Sequence, residues 1–132
     1  MSKSIVVIEN IQTLIVGGHR ISLPSEIRQY YEFRECFVVR MAYKETLENN
    51  LIGYGYSESN FSVKWKFKHK DVGGVIPEVP ETKKADEFVS NRHYEDFKKQ
   101  FSGKELLIVQ AGDFGYRVNA NTGEVYGKWE TR

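Results

Sequence analysis

The chain has 132 residues, with 19 basic and 18 acidic side chains for a net charge of +1, and 14% of it is aromatic. This length suits one domain, able to bury roughly two thirds of its unfolded surface without a disulfide or a metal. The even charge balance excludes a domain drawn as a whole to nucleic acid or to a membrane surface, and the mixture of Tyr, Phe and β-branched residues favours pleated sheet over a helix bundle.

In chain order, Ser4–Ile8 is a short apolar run that suits a buried strand and is too short for a signal-peptide core. No stretch approaches the length needed to span a bilayer, so a cytoplasmic protein is expected. Thr13–Val16 and Ile21–Leu23 flank Gly17-Gly18-His19-Arg20, and glycines suit the positive φ of a tight hairpin turn. Ser25–Phe33 fits a strand face or one side of a short helix, and its aromatic content favours extended structure. Phe37–Tyr43 reads as a strand with Phe37, Val39 and Met41 on one face and Val38 and Arg40 on the other. The single cysteine, Cys36, lies in the apolar run Cys36-Phe37-Val38-Val39 and reads as a small buried hydrophobe. A lone cysteine makes no disulfide framework, which fits a reducing compartment.

Lys44–Asn50 is a polar loop. Leu51–Tyr56 follows as a strand, with Gly53 and Gly55 facing with Leu51 and with Ile52, Tyr54 and Tyr56 opposite. Glu58-Ser59-Asn60 turns the chain into Phe61–Lys70, which has the clearest period of two in the sequence. There Phe61, Val63, Trp65 and Phe67 make an apolar core face, and Ser62, Lys64, Lys66 and Lys68 make a lysine face. Residues 71–89 hold Gly73-Gly74, Pro77, Pro80 and the charged run Glu81–Lys84, a density of breakers that predicts a long loop. Ser90–Ser102 is the helix candidate, with Ser90 as N-cap, Tyr94, Phe97 and Phe101 as an aromatic stripe, Lys98 and Lys99 near the end, and Gly103 as the C′ residue. The rest predicts a meander: Glu105–Ala111, a Gly112-Asp113 turn, Phe114–Asn119, an Asn121-Thr122-Gly123 turn and Val125–Trp129.

No catalytic constellation stands out. His19, His69 and His93 lack a second ligand at metal-binding spacing, so no metal and no cofactor is expected. Cys36 has nothing nearby to make it a thiolate, and no Ser sits in a nucleophile elbow. The lysine face of Lys64, Lys66 and Lys68 offers a phosphate-tracking surface, against the blander reading of a solvated or protected edge. Carboxylates in polar loops, Glu45 and Glu48 in one and Glu78 and Glu81 in the other, suit the rim of a protein interface, with Tyr54 and Tyr56 as aromatic anchors.

The ordered phrases Leu23-Pro24-Ser25-Glu26-Ile27, Cys36-Phe37-Val38-Val39, Asn50-Leu51-Ile52-Gly53-Tyr54, Lys64-Trp65-Lys66-Phe67, Phe114-Gly115-Tyr116-Arg117-Val118-Asn119 and Asn121-Thr122-Gly123-Glu124-Val125 together resemble a group of small bacterial β-rich proteins. Many of these are immunity proteins of contact-dependent growth inhibition and related polymorphic toxin systems. The resemblance runs from Leu23 to Val125 and implies a cytoplasmic protein that binds and neutralises one cognate toxin domain. It carries no catalytic residues. Immunity proteins against nucleases are often strongly acidic, a pattern from which this near-neutral chain departs.

The expectation is a mainly β, α+β domain over residues 1–132. It has about seven to nine strands in a single curved antiparallel sheet or half-barrel, with one packed helix in the C-terminal half. It is expected to act as a non-enzymatic immunity protein through Glu45, Glu48, Tyr54, Tyr56, Glu78 and Glu81. The alternative is a small nucleic-acid-binding module that uses the lysine face.

Overall fold

A computed structural model describes residues 6–16, 18–56, 61–78 and 91–131. These residues form three antiparallel sheets. The first holds β1 (Val6–Asn10), β2 (Thr13–Val16) and β3 (His19–Ser22). The second holds β4 (Ile27–Glu32), β5 (Cys36–Met41), β6 (Leu51–Tyr56) and β7 (Phe61–Lys66). The third holds β8 (Val72–Glu78), β9 (Leu106–Ala111), β10 (Phe114–Asn119) and β11 (Val125–Glu130), and the one helix among the described residues is α1 (Asn91–Phe101). Each sheet runs in chain order. The mainly β class with one helix in the C-terminal half holds. The single curved sheet does not: among the described residues eleven strands fall into three sheets, and none closes into a barrel.

The reason lies in β5. Cys36 and Val38 enter one core, with Leu51, Trp65, Val109 and Val118. Phe37, Val39 and Met41 enter the other, with Leu14, Val16 and Leu23. A strand apolar on both faces must be covered on both, so the second sheet lies between the first and the third. Each large side chain buried this way contributes about 1.5–3 kcal/mol. The centre of the fold is therefore β5, whereas β7 is an edge strand.

The alternation of β7 is broken as well. Tyr54 pairs with Val63 but Gly53 pairs with Trp65, so Lys64 is the extra residue of a β-bulge. The bulge separates Val63 from Trp65: Val63 is exposed, while Trp65 and Phe67 enter the core. Val63 is thus not the core residue that the period of two predicts, and the side chain of Phe61 lies outside the described residues.

Residues 72–78 are a strand rather than the first half of a loop. Gly73 is the extra residue of a bulge opposite β9. Val75 turns its N–H and C=O away from β9, where the Gln29 amide of β4 meets both, at 3.0 and 2.9 Å. Pro77, two residues on, has the same orientation, where a missing N–H costs no ladder bond. Asn50 treats Val72 in the same way: its Oδ1 accepts from the Val72 N–H at 3.0 Å and its Nδ2 donates to the Val72 C=O at 3.1 Å. The edge of β8 is thus sealed against the second sheet by side-chain amides. The remainder of the predicted loop, 79–89, lies outside the described residues.

The helix matches its sequence signals from Asn91 on, while Ser90 as N-cap and the side chain of Tyr94 lie outside the described residues. Gly103 has φ +80°. Phe101 is buried against Tyr126, with ring centroids 5.1 Å apart, and the Arg117 guanidinium lies 4.7 Å over the Phe97 ring. The helix therefore covers the face of the third sheet that points away from the shared core.

Candidate functional site

Two adjoining surface features carry the candidate residues. The first is the loop from Tyr43 to Asn49. Met41 N–H donates to Asn50 C=O at 2.8 Å, and Asn50 N–H donates to His69 C=O at 3.2 Å, so the loop is closed at its base on the β7–β8 connection. Lys44 Nζ donates to Pro24 C=O at 3.1 Å, and Lys70 Nζ donates to Glu45 C=O at 3.1 Å. Tyr43 is 54% exposed, its hydroxyl donates to the Glu45 carboxylate, and Lys70 Nζ lies 5.8 Å over its ring. The Tyr43 hydroxyl, followed by Lys70, holds the Glu45 carboxyl below its ordinary range, and the same hydrogen bond raises the tyrosine. Glu48 is exposed on the same surface, which also includes Thr46, Leu47, Lys68, His69 and Asp71. An exposed aromatic ring is thus held by a carboxylate and an ammonium on an anchored loop.

The second feature is a groove of about 480 Å³ lined by Lys66, Phe67, Lys68, His69, Phe114, Tyr116, Gly123, Val125 and Lys128. Cross-strand pairing of Tyr116 with Lys128 puts that lysine among the rings, its Nζ 4.2 Å over Phe114. His69 Nε2 lies 3.3 Å from the Tyr116 hydroxyl, and Phe67 meets Tyr116 edge to face with centroids 5.0 Å apart. Val125 is exposed on the rim. Lys68 and His69 belong to both features, so groove and loop form one continuous surface.

Of the residues the sequence singles out, the structure brings Glu45 and Glu48 together on the loop. Tyr54 is not an anchor: it is buried, with its ring 5.3 Å from Phe37 and nearly parallel to it, and burial raises its hydroxyl pKa. The alternation that puts Tyr54 opposite the glycines aims it into the core shared with the first sheet. Glu78 is not on a loop: it is buried at the end of β8 and bound to Arg117, 3.0 Å from Nε. Glu81 and the side chain of Tyr56 lie outside the described residues.

The lysine face is also divided. Lys64 is tied to Glu35 at 2.7 Å, a contact that lowers the Glu35 carboxyl pKa, while Lys66 and Lys68 line the groove. Sequence reasoning did not find Tyr43, His69, Phe114, Tyr116 and Lys128 as site residues. Tyr43, an aromatic residue opening a charged loop, carried a local signal, whereas nothing local connects His69 to Tyr116. Cys36 is the small buried residue expected: its thiol donates to Ala120 C=O at 2.9 Å, and burial raises its pKa to about 11. Among the described residues, no three His, Cys, Asp or Glu side chains are grouped to hold a metal ion, and no helix is long and apolar enough to cross a membrane.

Neither family models, nor curated proteins, nor solved structures give a match to this chain.

Proposed function

We propose that this chain is an immunity protein that binds a cognate toxin domain in the cytoplasm and neutralises it by occupancy, with no reaction of its own. The observation that carries the reading is the anchored loop, where Tyr43 stands exposed, hydrogen-bonded to Glu45, beside Glu48. A tyrosine supplies a large contact area with a polar tip. Holding it before the partner arrives reduces the ordering cost of binding. The resemblance of the Leu23–Val125 phrases to bacterial immunity proteins supports the same reading.

The test is co-expression with a toxin domain drawn from the adjacent upstream reading frame, and the lack of any toxin sequence there would count against the reading. Wild-type chain should rescue growth, and the Tyr43→Ala/Glu48→Lys variant should rescue it less while unfolding at the same denaturant concentration. Cells that die despite soluble wild-type chain would sink the reading.

A second reading, a nucleic-acid-binding module, is favoured by the meeting of lysines and aromatic rings in one groove. It predicts oligonucleotide binding that weakens with salt and with loss of Lys66 and Lys68.

A further inference from the structure

The second and third sheets meet along two seams. At the seam of β4 and β8, the outward N–H and C=O groups of Val72 and Val75 are taken by Asn50 and Gln29, and Arg40 adds a contact to the Val72 C=O at 3.3 Å. That seam offers no backbone to a partner at those positions. The opposite seam lies between the edges of β7 and β11, each of which has a strand neighbour on one side only among the described residues. Trp65 bridges it at one point. Its indole N–H donates to Ala120 C=O at 3.0 Å, and its ring lies so close to Gly123 that an added Cβ would come within 2.7 Å. Next to that contact lies the groove, with Lys66, Phe67, Lys68 and His69 on the β7 side and Val125 and Lys128 on the β11 side.

We propose that this groove binds a short, extended, acidic segment of a protein partner. Lys66, Lys68 and Lys128 line it and, among the described residues, no carboxylate does, so its charge calls for an anionic occupant. The rim residue Val125 and the half-buried ring of Phe114 offer apolar contact for every second side chain of a strand. Next to it, β7 and β11 are each paired on one side only among the described residues, the kind of sheet edge to which extended peptides add. Single-stranded nucleic acid fits less well. Base stacking needs open ring faces, and Phe67 and Tyr116 are each only 5% exposed while Lys128 lies over Phe114. The net charge of +1 supplies no broad basic field. In taking a protein as the partner, the inference rests on the immunity reading, and it adds the chemistry of what that partner presents.

The probe is a short fluorescein-labelled peptide of alternating Glu and Tyr, titrated by anisotropy beside its Gln–Tyr counterpart and a labelled oligothymidylate. The Glu–Tyr peptide should bind saturably and more tightly than either. In the Lys68→Gln/Lys128→Gln variant its Kd should rise about three- to tenfold, the worth of two exposed ion pairs. Val125→Asp, which adds a carboxylate at the rim, should weaken binding as well, and unchanged circular dichroism would show that both variants are folded. Absence of saturable binding, equal affinity for the Gln–Tyr peptide, tighter binding of the oligonucleotide, or an unchanged Kd in folded variants would each overturn the proposal. The co-expression assay separates the two ideas. Peptide failure with protection intact overturns the groove alone, and peptide binding without protection overturns the immunity reading alone.

Discussion

Replacement of Gly53 by alanine tests how the second and third sheets are held together. A Cβ at Gly53 would lie 2.2 Å from Nε1, 2.4 Å from Cε2 and 2.8 Å from Cδ1 of Trp65. The ring cannot give way freely, because its N–H is bonded to Ala120 C=O and its other end rests on Gly123. Overpacking of this kind costs about 1–3 kcal/mol. Loss of the indole bond adds about 0.5–1.5 kcal/mol, because Ala120 C=O keeps the Cys36 thiol as a donor. Against this, alanine narrows the unfolded ensemble and returns about 0.4–1 kcal/mol. The expected net loss is about 1–4 kcal/mol, read by urea denaturation followed through tryptophan fluorescence, with the native emission shifted to the red. In the Trp65→Leu background the same substitution should cost far less, giving a coupling of about 1 kcal/mol or more. A Gly53→Ala variant as stable as the parent, or a loss of equal size in both backgrounds, would refute the seating of Trp65 on Gly53.

Two further predictions concern buried polar groups. Asn50 is fully buried and its side chain makes three bonds, to the Met41 C=O and to both backbone groups of Val72. Asn50→Ala should therefore lose about 3 kcal/mol or more, and hydrogen exchange should quicken at Val72, whereas Glu48→Ala should be near neutral on both measures. The Cys36 thiol has an ordinary pKa of 9.0 and is pushed by burial to about 11. Its contribution is complete below pH 9 and is lost as pH rises from 9 to 11, because the unfolded chain gives up its proton first. The full separation is worth about 2–3 kcal/mol. Wild type should lose more stability than Cys36→Ala between pH 8 and pH 11 in guanidinium titrations, and parallel pH profiles would contradict this.

Much of the fold was legible because it depends on neighbours a few residues apart. A continuous apolar centre, Leu106-Leu107-Ile108-Val109, marked β9, and the alternation of Phe114, Tyr116 and Val118 marked β10. Turn glycines marked the hairpins, and Gly18 and Gly123 do adopt positive φ, at +88° and +81°. The aromatic stripe and Gly103 marked the helix. The strand β8 was hidden because Gly73, Gly74 and Pro77 are breakers in isolation. They become acceptable at a bulge and on an edge whose outward groups are met by Gln29, 46 residues away. The run Cys36-Phe37-Val38-Val39 did carry the signal of a strand covered on both faces, but not the identity of the covering layers.

The candidate site was less legible than the fold. Glu45 and Glu48 lie on an exposed loop, as their charge suggests, since a polar loop is polar whatever it packs on. Tyr54 and Glu78 went the other way, because Tyr54 meets Phe37 across a strand pair and Glu78 meets Arg117 39 residues away. The sequence by itself determined the strand class, the hairpins and the helix, which follow from dihedral preferences and periodicity along the chain. Only the tertiary structure decided that there are three sheets, that β5 is their centre, and that a basic groove opens between β7 and β11. Those outcomes depend on which faces and edges meet, and the contacts that decide it join residues as far apart as Trp65 and Ala120, separated by 55 positions.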